Sequence, residues 1–215
     1  MNNSMEDRVL RLEAAAQIQY LVGRYSNLLT LERFSEIPAL FALDYPDTRA
    51  EMLWGVYRGG DGVRRLYGEV LPQTAGAQSG LDAVVHALET PVITVARDGR
   101  TGKGVWVSPG YLIRTEPGGE KKGYWSWQKY GADFIFLEGR WYIWHLHVYG
   151  LFEAEYATGA IRPSGTYGCA MGVPEKTLAA DGAPTTVFDL SPDSVYPYAP
   201  AVPTAYTVFD GDKAY

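Results

Sequence analysis

The sequence predicts an α+β domain with a mainly antiparallel sheet, because helical patterns come first and strand patterns follow. An amphipathic helical pattern fills the first thirty residues, whereas four strand-like segments after Gly80 are separated by Asp-Gly, Pro-Gly-Gly and Glu-Gly turn signals. A chain of 215 residues with 47% hydrophobic residues is also long and apolar enough for one domain with a sizeable core.

Three helices are predicted in the first part of the chain. A stripe of apolar residues at three- and four-residue steps predicts a helix from about Glu6 to Leu31. The stripe consists of Ile18, Leu21, Val22, Tyr25, Leu28 and Leu29. A short second helix is expected over Ser35 to Ala42, with Pro38 in its first turn, and a third over Asp61 to Leu71. Between them, EMLWGVYRG is typical of a strand.

Four longer segments are expected to form the sheet. They read HALETPVITVARDG, GKGVWVSPGYLIRTEPGG, KKGYWSWQKYGADFIFLEG and RWYIWHLHVYGLF. Side chains alternate between the two faces of a strand, so Trp125 and Trp127 share one face, as do Val107, Tyr111 and Ile113 if no bulge intervenes.

The last sixty-odd residues differ in composition from the rest. They are rich in Pro, Tyr, Ala and Gly and have neither strand nor helix periodicity, which predicts a domain over residues 1–153 and an extended arm over 154–215. Because Tyr, Val and Phe recur along the arm, burial against a neighbouring subunit is favoured over a flexible tail. We therefore expect a homo-oligomer, a dimer or a trimer, with arm contacts.

The net charge and the cysteine count indicate which partners and which cell compartment to expect. A net charge of -6 and no basic patch argue against nucleic acid. The single cysteine, Cys169, cannot form an internal disulfide or a cysteine-based zinc cluster. With no signal-like or membrane-spanning apolar run, we expect a cytoplasmic protein without membrane contact.

Several segments, taken in order, resemble the SnoaL-like, nuclear-transport-factor-2-like superfamily. They are YLVGRYSNLL, PALFALD, a strand-turn-helix unit, HALETPVITVARDGRTGKGVWV and GYWSWQKYGADFIFLEGRWYI. The resemblance covers about Glu6 to Phe152 and implies a cone-shaped α+β barrel, whose curved, mainly antiparallel sheet wraps around the N-terminal helices and leaves a cavity. Members include polyketide cyclases, ketosteroid isomerases, dehydratases and formaldehyde-releasing lyases of lignin-derived dimers.

The resemblance implies two catalytic candidates. His86 matches the pocket histidine of the dehydratases, and an imidazole can move a proton without a cofactor near neutral pH. Tyr25 matches the family tyrosine that points into the cavity. The family's aspartate base is missing from its usual place, where this chain has Ser26, Asn27 and Thr30. Glu32 is an alternative carboxylate if the helix end is displaced.

Aromatic content of 13% suits a flat ligand or a thick core. The candidate substrate-binding residues are Tyr45, Trp54, Trp106, Tyr111, Trp125, Trp127, Tyr130 and His145. His145 and His147 share a strand face, and with His86 they raise the alternative of a three-histidine metal site. We favour no metal, because the resemblance supplies none, and expect no cofactor.

The function that this sequence favours is a cofactor-independent lyase acting on an aromatic, phenolic, possibly lignin-derived molecule. Retro-aldol release of formaldehyde needs one base and fits the missing aspartate; dehydration is the second variant. An isomerase, a polyketide cyclase and a non-catalytic binding module stay open, because one fold serves many reactions.

Overall fold

The computed structural model describes residues 4–74, 81–116, 118–163, 178–187 and 199–215. The helices are α1 (Met5–Thr30), α2 (Gly59–Arg65) and α3 (Leu71–Thr74), with a π-helical turn at Leu66–Val70 and 3-10 helices at Phe34–Leu40 and Gly211–Lys213. The strands are β1 (Arg49–Met52), β2 (Gly55–Arg58), β3 (Leu81–His86), β4 (Glu89–Val95), β5 (Thr101–Thr115), β6 (Lys121–Leu137), β7 (Arg140–Glu155) and β8 (Ile161–Pro163).

The sheet confirms the predicted α+β class. Its strand order is β2-β1-β7-β6-β5-β3, with β4 also paired to β5 and β8 to β7. Every pair is antiparallel except β1 with β7, which run parallel. Two register shifts between β6 and β7 bend the long strands, because bulges increase local twist. Within the described residues the sheet is curved and does not close on itself.

Helix α1 packs into the concave face of this sheet. It begins with a capping box, in which Ser4 and Asp7 each bond the other's backbone N–H. Its buried stripe is Ala14, Ile18, Leu21, Val22 and Tyr25. Trp106, Phe134 and Ile143 are buried in the same apolar core, so this stripe and the concave strand positions exclude water together.

The elements between the strands differ from prediction in three places. EMLWGVYRG is a hairpin rather than one strand, since Met52 pairs with Gly55 across a two-residue turn. The helical segment predicted from Asp61 to Leu71 extends over 59–74 and includes the π-helical turn. The second helix is a 3-10 helix with Pro38 inside it.

The segment containing His86 is also interrupted. The prediction of one strand that His86 opens is wrong, because β3 ends at His86 and β4 begins at Glu89. Thr90 has a φ of 47°, and the following residue, Pro91, lacks a backbone N–H for the ladder. The register of β4 therefore shifts between Glu89 and Val92, whereas His86 and Glu89 share one register, and β3 and β4 pair with successive halves of β5.

The described parts of the arm bond the chain's own sheet in two places: Val56 of the edge strand β2 donates its N–H to the Gly182 carbonyl at 3.0 Å, and other arm residues lie on the convex face. Thr185 donates its backbone N–H to Glu51, and Tyr215 donates its backbone N–H to Asp133 Oδ2 at 2.8 Å. Lys103 Nζ donates to the carbonyl of Lys213 at 2.6 Å. Cys169 lies outside the described residues, and the oligomer-clasping role of the arm stays a prediction.

None of the described helices is long and apolar enough to cross a membrane.

Candidate functional site

A cavity lies between the C-terminal end of α1, the β1–β2 turn, the helical segment 59–74 and the concave face of the sheet. Its free volume is about 100 Å³. Its walls are formed by Tyr25, Leu29, Glu32, Phe34, Met52, Leu53, Trp54, Leu71, Thr74, Val84, His86, Leu112, Gln128, Tyr130 and Val148. The lining is therefore mostly apolar with a few polar groups, the composition typical of small-molecule pockets.

His86 lies at the end of β3 and is only 7% exposed. Two contacts hold the backbone and ring in place. Ser26 of α1 donates its hydroxyl to the His86 carbonyl at 3.0 Å, which ties the helix to the strand end. A methyl group on Gly110, the residue paired with His86, would lie 2.4 Å from the imidazole, so the ring packs where only a glycine leaves room.

The two ring nitrogens of His86 face different surroundings. Nδ1 lies 3.5 Å from Ser108 Oγ, and Nε2 lies 3.5 Å from Gln128 Nε2. Burial lowers the pKa of His86 from 6.5 to about 4, because no charged group nearby compensates for lost hydration of the imidazolium. The imidazole is therefore neutral at pH 7, and Nε2 is on the side of the cavity residue Gln128.

Tyr25 belongs to a group of three tyrosines, two of which, Tyr25 and Tyr130, line the same cavity as His86. Tyr67 donates its hydroxyl to Tyr25 Oη at 3.1 Å, and the Tyr25 and Tyr130 rings meet edge to face with centroids 6.4 Å apart. Burial, reinforced by Tyr67, raises the pKa of Tyr25 well above its usual value. Tyr25 is thus a phenol, not a phenolate, over the whole physiological pH range.

The charge of the cavity wall is weakly negative. Glu32 is its one carboxylate, and among the cavity residues that the structure describes there is no Lys or Arg. Glu32 follows the end of α1 in the left-handed region, with a φ of 55°, and its side chain is exposed. It therefore marks the place where the cavity meets solvent.

Four of the sequence-predicted residues line this cavity together: Tyr25, Trp54, His86 and Tyr130. The other predicted residues lie elsewhere. In β6 the even-numbered positions between 124 and 134 are on the concave side, so Trp125 and Trp127 face the convex side. Trp125 contacts Tyr111 on the convex face, with ring centroids 5.6 Å apart, and Trp127 stacks there on Phe152.

Three further candidates also lie away from the cavity walls. Trp106 is on the concave side but beneath α1, where its indole N–H donates to Gln19 Oε1 at 3.2 Å. Tyr45 packs edge to face on Trp144 in a surface loop. His145 lies on the convex face, next to the register shift in β7.

The three histidines do not converge on one site. His145 Nδ1 is 2.8 Å from Asp133 and His147 Nε2 is 3.2 Å from Glu51, both on the convex face, whereas His86 lines the concave cavity. The three-histidine metal alternative is therefore wrong on geometry. In the described ranges, no group of three or more His, Cys, Asp or Glu side chains is placed to bind a metal ion.

Sequence reasoning missed Gln128, Ser108 and Ser126, the polar residues around the imidazole. Gln128 is 4% exposed and lies 3.4 Å from Ser126 Oγ. The signal was present in the alternation of KKGYWSWQKYGAD, because the face opposite Trp125 and Trp127 contains Ser126, Gln128 and Tyr130. The sequence did not tell which of these two faces is concave.

Comparison with known proteins gives one family. Residues 10–147 match the family model described as SnoaL-like domain, which is more than half of the chain. No curated protein matches the chain in sequence.

Solved structures of the same fold are similar in shape at low identity. A hexachlorocyclohexane dehydrochlorinase (LinA) type 2 superposes with a TM-score of 0.55 and 18% identity, covering 75% of this chain and 99% of that one. LinA-type3 from Novosphingobium barchaimii gives 0.55 and 15%, covering 72% and 96%. A Novosphingobium aromaticivorans protein provisionally described as a scytalone dehydratase gives 0.53 and 15%, covering 67% and 89%. At these identities the likeness shows the fold alone.

Proposed function

This chain belongs to the SnoaL-like domain family, and from that premise we propose that it is a cofactor-independent lyase that removes a small leaving group from a compact, mostly apolar substrate. The observation that carries the proposal is the placement of a neutral imidazole, His86, and a phenol, Tyr25, on the wall of one cavity. An acid and a base on a shared void are the minimum equipment for an elimination.

His86 is the proposed base. Its unprotonated Nε2 takes a proton from a substrate carbon, the carbon–hydrogen electron pair forms the new double bond, and the bond to the leaving group breaks on the adjacent carbon. A pKa of about 4 makes the ring a weak base, so the proton must be acidified by a neighbouring carbonyl or an extended π-system. The same low pKa makes the imidazolium quick to return the proton.

Tyr25 is the proposed acid or hydrogen-bond donor. Because Tyr25 Oη accepts the Tyr67 hydroxyl, its own proton can be donated onward to a leaving hydroxyl or a developing oxyanion. A phenol with a raised pKa keeps its proton, so a hydrogen bond donated to the leaving group or to a developing oxyanion is the part it performs.

Cavity size favours elimination over the formaldehyde-releasing cleavage of a lignin-type dimer. The free volume of about 100 Å³ is smaller than the ~150 Å³ cavity that holds benzene in another protein. Because even benzene occupies a larger cavity, the free volume favours a substrate of no more than one ring over a two-ring dimer. Two of the similar structures are dehydrochlorinases and a third is provisionally a dehydratase, all named for eliminations.

A substrate screen with one matched variant tests the proposal. Purified protein is incubated with single-ring β-hydroxy ketones, single-ring β-chloro ketones and phenolic dimers, and products are followed by mass spectrometry and formaldehyde detection. We expect loss of water or hydrogen chloride from the single-ring compounds. His86→Gln should lower kcat/KM by at least ~10²-fold, while Trp127→Phe, on the convex face, should not change it.

Two results would decide against this function. Turnover by His86→Gln near the unsubstituted rate would remove the base. Formaldehyde from the dimers, with no elimination product from the single-ring compounds, would instead favour the retro-aldol variant and show that the cavity widens to admit two rings.

A further inference from the structure

We infer that Gln128 is the specificity-determining residue of this cavity and selects an uncharged, hydroxyl-bearing ring, an inference that rests on the function proposed above. The observation behind it is a buried polar atom with no partner. Gln128 Oε1 is fully buried on a cavity-lining side chain and has no hydrogen-bond partner among the residues that the structure describes. An unpaired amide oxygen shielded from water costs free energy, which a ligand hydrogen bond would recover.

The surroundings of the amide define what the ligand must present. Gln128 Nε2 faces Ser126 Oγ at 3.4 Å and His86 Nε2 at 3.5 Å. If the amide oxygen and nitrogen exchange places, the oxygen accepts from Ser126 and the nitrogen takes the vacant position. One amide atom lacks a partner in the protein in either orientation. A hydroxyl group, which both donates and accepts, satisfies whichever atom faces it.

The charge of the wall excludes anionic ligands. A carboxylate placed beside Gln128 would be buried among Leu112, Val84 and Tyr130 with no cation on the described cavity wall to pair with it, and Glu32 would repel it at the opening. A methyl group, which neither donates nor accepts, would leave the amide unsatisfied in both orientations. The selected class is thus a neutral ring with a free hydroxyl.

Ligand-observed fluorine NMR at pH 7 measures this selectivity without turnover. The probes are 4-fluorophenol, 4-fluorotoluene and 4-fluorobenzoate, which share a ring and differ in the group that meets Gln128. We expect 4-fluorophenol to bind about tenfold more tightly than 4-fluorotoluene, the value of one hydrogen bond. 4-Fluorobenzoate should bind at least ~100-fold more weakly than 4-fluorophenol.

A matched pair of variants assigns the preference to this side chain. Gln128→Met replaces the amide by an apolar chain of similar length and should abolish the advantage of 4-fluorophenol over 4-fluorotoluene. Lys129→Met introduces the same residue one position along β6, on the opposite face, and should retain it. Gln128→Asn, which withdraws the amide by one methylene, provides a second test if the methionine variant does not fold.

Four results would refute the assignment of specificity to Gln128. Equal binding of the phenol and the toluene by the unsubstituted protein, retention of the preference in both Gln128 variants, tight binding of the benzoate, or no binding of any probe would each refute the assignment. Because the readout is binding, these results leave the His86 turnover assay independent. Conversely, an unimpaired His86→Gln enzyme would refute the proposed reaction and leave the binding preference standing.

Discussion

The pH dependence of folding should reveal the buried state of His86, and its size follows from the structure. An imidazole in the unfolded chain titrates near 6.5, whereas burial lowers the pKa of His86 in the folded chain to about 4. At pH 5 the unfolded chain therefore binds a proton that the folded chain excludes, and acid favours unfolding. Linkage between these two pKa values gives a loss of about 2 kcal/mol of stability from pH 7 to pH 5.

The variant His86→Gln isolates this contribution. His145 and His147 are also buried, but they lie beside carboxylates and are present in both proteins, so their titration cancels in the difference. Urea denaturation of both proteins at pH 7 and pH 5 measures the free energy of unfolding. The unsubstituted protein should lose about 2 kcal/mol more than His86→Gln over this range. Identical losses would mean that the imidazole is protonated or hydrated in the folded state, and the neutral base would be refuted.

Three other substitutions test the site and its surroundings. Gly110→Ala would place a methyl group 2.4 Å from the His86 ring and 2.7 Å from the Ser126 carbonyl, so it should lower kcat by more than tenfold and the free energy of unfolding by about 1 to 3 kcal/mol; unchanged turnover and stability would contradict the packing. Tyr25→Phe removes the donor and should lower kcat while leaving the acid limb of the pH profile, set by His86, in place. Tyr215→Ala removes the contact of the arm with Gly131 and should destabilise the protein by about 1 to 3 kcal/mol without altering KM, as denaturation and kinetics on one preparation would show.

Much of the fold is encoded in local periodicity, which is why it could be predicted. The apolar stripe of α1 and the alternation of the three long strands after Gly99 are strong patterns, and the structure confirms these elements, with two register shifts between β6 and β7. The prediction of one strand opened by His86 failed because β3 already begins at Leu81 and ends at His86. Within β4, the positive φ of Thr90 and the missing N–H of Pro91 coincide with a further register shift. A single parallel pair, β1 with β7, depends on long-range packing that no local pattern records.

The candidate site was less predictable, for a different physical reason. Alternation divides a strand into two faces but does not say which face is concave, so Trp125, Trp127 and Tyr130 were all expected on the wall although they cannot share it. Aromatic residues were predicted on the wall because large, flat side chains suit a flat ligand on either face. The polar residues of the cavity, above all Gln128, could be identified only once the structure showed which face of the sheet is concave.

The two faces of the sheet also explain why three buried histidines have different capacities for chemistry. His145 and His147 each contact a carboxylate, Asp133 or Glu51, and on the convex face parts of the arm bond these same carboxylates. Burial lowers the pKa of both imidazoles, that of His147 to about 3, so both are neutral at pH 7 as His86 is, but neither lines the cavity. His86 has only the neutral Ser108 and Gln128 within contact distance of its ring nitrogens. Among the described residues no carboxylate contacts the His86 ring, so a proton that the ring accepts is weakly held and can return to the leaving group, which is the behaviour that an elimination requires of its base.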